Sequence, residues 1–262
     1  MSVSLAAAAV LTLLFGLNTP GALAHAVRTS PTGNDVSYPQ CGRTLPAGQA
    51  FGIVGVNDGV ANTTNPCLAT EITWAQGSTG TTVQPKASLY VNTANPGNLG
   101  VADWPTNNVD PVTGATDNDP YGACAGGDTA ACAWQYGWNM ADLDAQQRGV
   151  VNPAGYHWWL DVETNNSWET NTANNRADLE GMVAYFRGLG TAVGVYSTSS
   201  QWSKIAGTVS ATSPLYTLPD WIPGARSLSG AQANCSSRPL TTGGIVTVTQ
   251  WTSTVDGDVA CR

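Results

Sequence analysis

Short apolar runs alternate along this chain with polar stretches rich in Gly, Asn, Thr and Pro. Eight of the runs have the length and bounding of strands: 33–37, 51–56, 87–91, 133–136, 157–162, 192–197, 215–222 and 245–251. Three intervening segments carry helical spacing. Over 177–189, Leu179, Met182, Val183, Phe186 and Leu189 fall on one stripe at steps of three and four. Asn175 is the expected N-cap there, and Gly188 and Gly190 the stop. Residues 140–148 form a second candidate, with Asp142 and Asp144 near its start, and 67–75 a third. Strands alternating with helices predict a parallel sheet in an α/β protein. Eight units suit a (β/α)8 TIM-like barrel, which takes about 250 residues. The competing open, doubly wound sheet would offer a Gly-rich loop after an early strand, and 52–59 is not G-x-G-x-x-G.

The run at 157–162 is the most informative. Alternate strand side chains share a face, so Trp158, Leu160 and Val162 lie on one side. His157, Trp159, Asp161 and Glu163 lie on the other. In a barrel that second set faces inward, and its two acids stand at the C-terminal mouth, where barrel enzymes keep their catalytic groups. Acids at i and i+2 have Cα atoms about 6.5–7 Å apart. In a poorly solvated site they repel, so one tends to keep its proton. A protonated acid beside an ionised one is what glycosidic cleavage needs. A D-x-E tripeptide can also cap a helix or hold a loop. The apolar strand before it and Trp159 on the same face favour catalysis.

The first residues change the compartment. An apolar run ends at Gly16, a helix-breaking Asn-Thr-Pro-Gly follows, and then come the small-x-small sites Ala22-Leu23-Ala24 and Ala24-His25-Ala26. Residues 1–24 read as a secretory signal, although no Lys or Arg precedes the run, and 27–262 as one domain. The run is too short for a spanning helix. Cys41, Cys67, Cys124, Cys132, Cys235 and Cys261 all follow the signal. In an exported chain six cysteines favour three disulfides, with about 15 possible pairings. Cys124 and Cys132 are placed for a local bridge, and Cys235 and Cys261 for one tying the C-terminal strand to the preceding loop. No C-x-x-C occurs, and a metal site is not expected. The net charge of −8 argues against nucleic acid as a partner. Charged residues make up only 11% of the chain, while ten tryptophans offer platforms for sugar rings.

Four motifs in order carry a resemblance: Asn34-Asp35-Val36-Ser37, Leu160-Asp161-Val162-Glu163, Gly194-Val195-Tyr196-Ser197-Thr198 with Trp202, and Thr249-Gln250-Trp251 followed by Asp256-Gly257-Asp258. Together they resemble the glycoside hydrolase family 25 lysozymes and their lysozyme-like relatives, over most of the chain beyond the signal. The resemblance implies an irregular (β/α)8 barrel with an acidic pocket. It implies Glu163 as general acid on the leaving oxygen, and Asp161 as the residue that orients the 2-acetamido group of the substrate during its attack on the anomeric carbon. Asp35 and Asp258 would shape the charge of the pocket, with Asp256 as the alternative last-strand acid. The chain departs from the family around Asp220 and Pro223. The long polar loop 93–129 and the insertion 165–175 would remodel the pocket rim.

Trp159 and Trp221, each near a predicted strand end, are the preferred sugar-stacking residues, with Tyr196, Trp251 and His157 as further pocket candidates. A Ser-His-Asp triad is excluded in practice, because His157 is the one histidine well inside the domain and no G-x-S-x-G occurs. Asn62, Asn165 and Asn234 each open an N-glycosylation sequon, with chance in an Asn- and Thr-rich chain as the alternative. The leading expectation is a secreted, extracellular or wall-associated monomer that hydrolyses a cell-wall polysaccharide without a cofactor, free of the membrane once the signal is removed. The alternatives are a barrel that binds glycan or a wall protein without cleaving it, and an interaction or structural protein that keeps the fold.

Overall fold

In the computed structural model, Met1 and residues 31–261 are described; residues 2–30 and 262 lie outside the described residues, and the expected signal with them. Eight strands close a barrel in chain order: β1 (Thr32–Val36), β2 (Gly52–Gly55), β3 (Ala87–Asn92), β4 (His157–Asp161), β5 (Val193–Tyr196), β6 (Pro219–Ala225), β7 (Ile245–Trp251) and β8 (Gly257–Ala260). Neighbours from β1 to β7 pair in parallel. β8 is antiparallel to both β7 and β1. The reason is the connection: the five residues between β7 and β8 suffice for a reversal, whereas a parallel return needs a dozen or more. Five helices lie between strands: α1 (Leu68–Gln76), α2 (Ala130–Gln146), α3 (Thr172–Gly188), α4 (Ser199–Ile205) and α5 (Leu228–Asn234). No α-helix separates β1 from β2, which makes the barrel irregular.

Three expected elements are corrected. Residues 133–136 are not a strand but the first turns of α2, where a short apolar run fits either period. The eighth strand is instead β8, whose four residues, Gly-Asp-Val-Ala, are too few to show alternation. β6 starts at Pro219, after a turn region in which Leu218 N bonds Leu215 O, rather than at 215. Pro is tolerated as a first strand residue because it needs no ladder donor there. α3 begins a turn earlier than expected. Asn171 is its N-cap and accepts from Ala173 N. Asn175 is buried inside the helix, with Nδ2 donating to the carbonyls of Glu169 and Ile205.

Two apolar layers result. Trp158, Leu160 and Val162 join the layer between strands and helices, while Trp159 packs inside the barrel with Phe51, Ile53, Trp221 and Val248. The interior accepts Trp159 because its cross-strand neighbour is Gly194, where a Cβ would stand 2.3 Å from the indole. α2 and α3 cross closely at Gly137 and Gly181, where a Cβ would strike the Asp178 and Trp134 carbonyls. The disulfides are Cys41–Cys67, Cys124–Cys132 and Cys235–Cys261. The last two are the pairs that position suggested.

The long polar loop 93–129 is anchored by specific contacts. It lies against α2: Trp104 packs on Tyr136 with ring centres 5.4 Å apart, Trp138 Nε1 donates to Asp110 Oδ2 (3.1 Å), and Gln135 Nε2 donates to Asp117 Oδ2 (2.6 Å). Among the described residues no helix is long and apolar enough to cross a membrane.

Candidate active site

A cavity of about 210 Å³ opens at the C-terminal ends of the strands. Its walls include Asp35 from β1, Tyr90 from β3, Asp161 and Glu163 at the end of β4, Tyr196 from β5 and Trp221 from β6. Gln250 from β7, Asp256 from the β7–β8 turn, and Ser37 and Gln40 after β1 complete it. No residue of 93–129 or 165–175 lines it, although Trp168 of the second segment donates to the backbone oxygen of Glu163.

Asp161 is buried at the cavity wall. Its Oδ2 accepts from Asn92 Nδ2 at 2.6 Å, and its Oδ1 has no donor among the described residues. Burial pushes this carboxyl well above the usual range, the neighbouring charge of Glu163 pushes it further, and Asn92 opposes the rise. Glu163 is half-buried just beyond the strand, with Gln201 Nε2 donating to its Oε1 at 3.3 Å and Trp168 Nε1 donating to its backbone oxygen at 2.8 Å.

On the opposite wall, Tyr196 Oη donates to Gln250 Oε1 (3.0 Å), and Gln250 Nε2 donates to Asp35 Oδ2 (2.9 Å). Burial raises Asp35 to about 6 against the pull of Gln250, with Asp256 adding to the rise. Asp258 is fully buried beneath this wall, and its Oδ1 accepts from Trp221 Nε1 at 2.9 Å. Its Oδ2 has no ordinary donor. Burial, and then Asp35, hold Asp258 well above the usual carboxylate range. The neighbouring Asp258 side chain opposes part of the rise of Asp35, while Asp35 adds to that of Asp258.

Asp35, Asp161 and Glu163 therefore converge on the cavity together with Tyr196 and Trp221, whereas Asp258 lies beneath the wall and Asp256, the alternative last-strand acid, lines it. Three expected pocket residues do not reach the cavity. Trp159 lies in the barrel interior, fully buried. His157 stacks on Trp159 with ring centres 4.4 Å apart. It precedes Asp161 by four strand residues, about 13 Å along the strand. Burial depresses it to about 4. Trp251 packs outside the barrel with Ala225, Ala231 and Val259. The physical reason is alternation: Val248 and Gln250 point inward, so Trp251 points outward. The same rule, applied to β3 and β7, places Tyr90 and Asn92 on one face and turns Gln250 of the Thr249-Gln250-Trp251 motif toward the cavity.

Residues 153–221 match the family model for lysozyme-like protein 1. That segment contains β4, Asp161, Glu163 and Tyr196. No curated protein matches the chain. Among solved structures, a muramidase from Trichobolus zukalii is similar at 18% identity, covering 88% of this chain and 93% of that one with a TM-score of 0.52. A bacterial lysozyme from Streptomyces coelicolor is 16% identical, covering 89% of this chain and 93% of that one, with a TM-score of 0.55. The modular Cpl-1 endolysin, solved with a peptidoglycan analogue, is 18% identical over 88% of this chain and 54% of its own, with a TM-score of 0.51. The chain shares the barrel fold of these proteins.

Proposed function

We propose that the chain is an exported glycoside hydrolase that cleaves a cell-wall polysaccharide of the peptidoglycan type. The observation that carries this reading is the meeting of Asp161 and Glu163 with Asp35 and Asp256 in one cavity at the barrel mouth. The match to lysozyme-like protein 1 over that segment supports it, as does the barrel shared with muramidases and lysozymes.

In this reading the glycan lies across the mouth, and the carbonyl oxygen of its 2-acetamido group attacks the anomeric carbon. The acetamido N–H donates to the unpaired Oδ1 of Asp161. That contact favours the ionised form of Asp161, which then holds the acetamido group in place, while Glu163 acts as the general acid. Glu163 gives its proton to the leaving oxygen as the glycosidic bond breaks. Water then opens the cyclic intermediate, with Glu163 taking the proton back. The Asp35–Asp258 pair, braced by Gln250 and Trp221, sets a fixed negative charge opposite the cationic sugar.

The test compares the protein and its Glu163→Gln variant on peptidoglycan and a panel of wall glycans, reading new reducing ends. Release by the unaltered protein, lost in the variant with an unchanged melting curve, is expected. No release on any substrate would overturn the reading and leave a glycan-binding barrel.

A further inference from the structure

Glu163 stands beyond the last residue of β4, where no ladder bond fixes its side chain. What meets its carboxyl is Gln201, the third residue of α4, and the orientation of that amide is determined by the helix start. Thr198 is the N-cap: Gln201 N donates to Thr198 Oγ1 (3.2 Å), while Thr198 Oγ1 and Thr198 N donate to Gln201 Oε1 (3.2 and 3.5 Å). This reciprocal arrangement commits Oε1 of Gln201 to Thr198. Its Nε2 is thereby left facing Glu163 Oε1 at 3.3 Å. An amide flip would set two oxygens against each other at Glu163 and lose both acceptor contacts at the cap.

We infer that Gln201 is a positioning residue for Glu163: its amide, clamped by the capping box of α4, engages Oε1 and leaves Oε2 as the oxygen that carries the transferable proton. A proton on Oε1 would point at the N–H of Gln201. A proton on Oε2 faces the substrate with no competing donor from Gln201. The inference rests on the glycosidase reading of the same site, and it gives the segment from Tyr196 to Gln201 a role that its sequence motif does not express. Without the contact Glu163 keeps its rotamers free, and the fraction of time in which the correct oxygen faces the leaving group falls.

Two variants separate the contact from the cap. Gln201→Glu retains an acceptor for Thr198 but offers Glu163 no N–H; Gln201→Met loses both. Both should lower kcat on solubilised peptidoglycan fragments by about tenfold to a hundredfold, the range expected for a hydrogen bond to a charged group, with KM within about twofold. In the 15N-labelled chain, the side-chain amide protons of Gln201 should shift when Glu163 is replaced by Ala. Unshifted Gln201 amide signals, or full kcat in Gln201→Glu, would overturn the inference alone. No turnover by the unaltered protein would overturn the glycosidase reading and the inference with it.

Discussion

Asn92 and Asp161 stand opposite each other in the register of β3 and β4, and the amide of the first donates to the carboxylate of the second at 2.6 Å. Asn92 is itself fixed through its backbone N–H, which donates to Asn57 Oδ1 at 2.8 Å. The contact opposes the rise that burial and Glu163 impose on Asp161. Asn92→Leu removes the donor and keeps the approximate volume. Asp161 then rises further and ionises only at higher pH. In a mechanism that needs Asp161 ionised, the acid limb of the kcat/KM profile moves upward, and activity at mildly acidic pH falls by about tenfold to a hundredfold. A pH–rate profile of the variant checks this; an unmoved acid limb would remove Asp161 from its assigned role.

Trp159 occupies the barrel interior only because Gly194 leaves room beside it. Gly194→Ala sets a methyl 2.3 Å from the indole, and the Pro219 carbonyl at 2.9 Å blocks escape on the other side. Trp159 must then tilt toward Trp221, whose ring centre is 5.8 Å away. Overpacking of this kind costs about 1–3 kcal/mol. Urea denaturation should show that loss, and hydrolytic activity should fall with it because Trp221 lines the cavity.

Asp178 lies buried where α2 crosses α3, and neither of its carboxylate oxygens has a donor among the described residues. Burial pushes it well above the usual range, with Glu169 adding to the rise. Burial also raises Asp35 and Asp144 to about 6 and Asp220 to about 7. The folded state therefore holds protons that the unfolded chain has released. The associated stability is complete below the unfolded value, about 4, and is lost as pH rises through the folded values. The melting temperature should be higher near about pH 4.5 than at about pH 8, the two sides of that window. Asp178→Asn removes one titrating group, so it should flatten this slope and stabilise the fold at neutral pH, by on the order of 1–3 kcal/mol. Scanning calorimetry at both pH values decides it; a variant less stable at neutral pH would show that the Asp178 charge is compensated.

Strand and helix periodicity was informative wherever an element was long and one-sided. The faces of β4 follow directly from alternation, since Trp158 and Leu160 could serve only the helix-facing layer. Alternation was silent for β8, four residues long. It misled at 133–136, where Ala, Trp and Tyr suit a buried helix as well as a strand. For Trp251 the period was legible but the phase was not, until Val248 fixed which side of β7 is inside.

By itself, the sequence pointed to the α/β barrel class, to two acids on one face at the end of β4, and to a local bridge between Cys124 and Cys132. Each follows from periodicity or proximity along the chain. Only the tertiary structure decided which distant groups meet those acids. Gln250 reaches Asp35 across 215 positions, Asn92 reaches Asp161 across 69, and Gln201 reaches Glu163 across 38. Such contacts depend on barrel closure and strand register, which are set by side-chain volumes summed over all eight strands. No local stretch of sequence holds that sum.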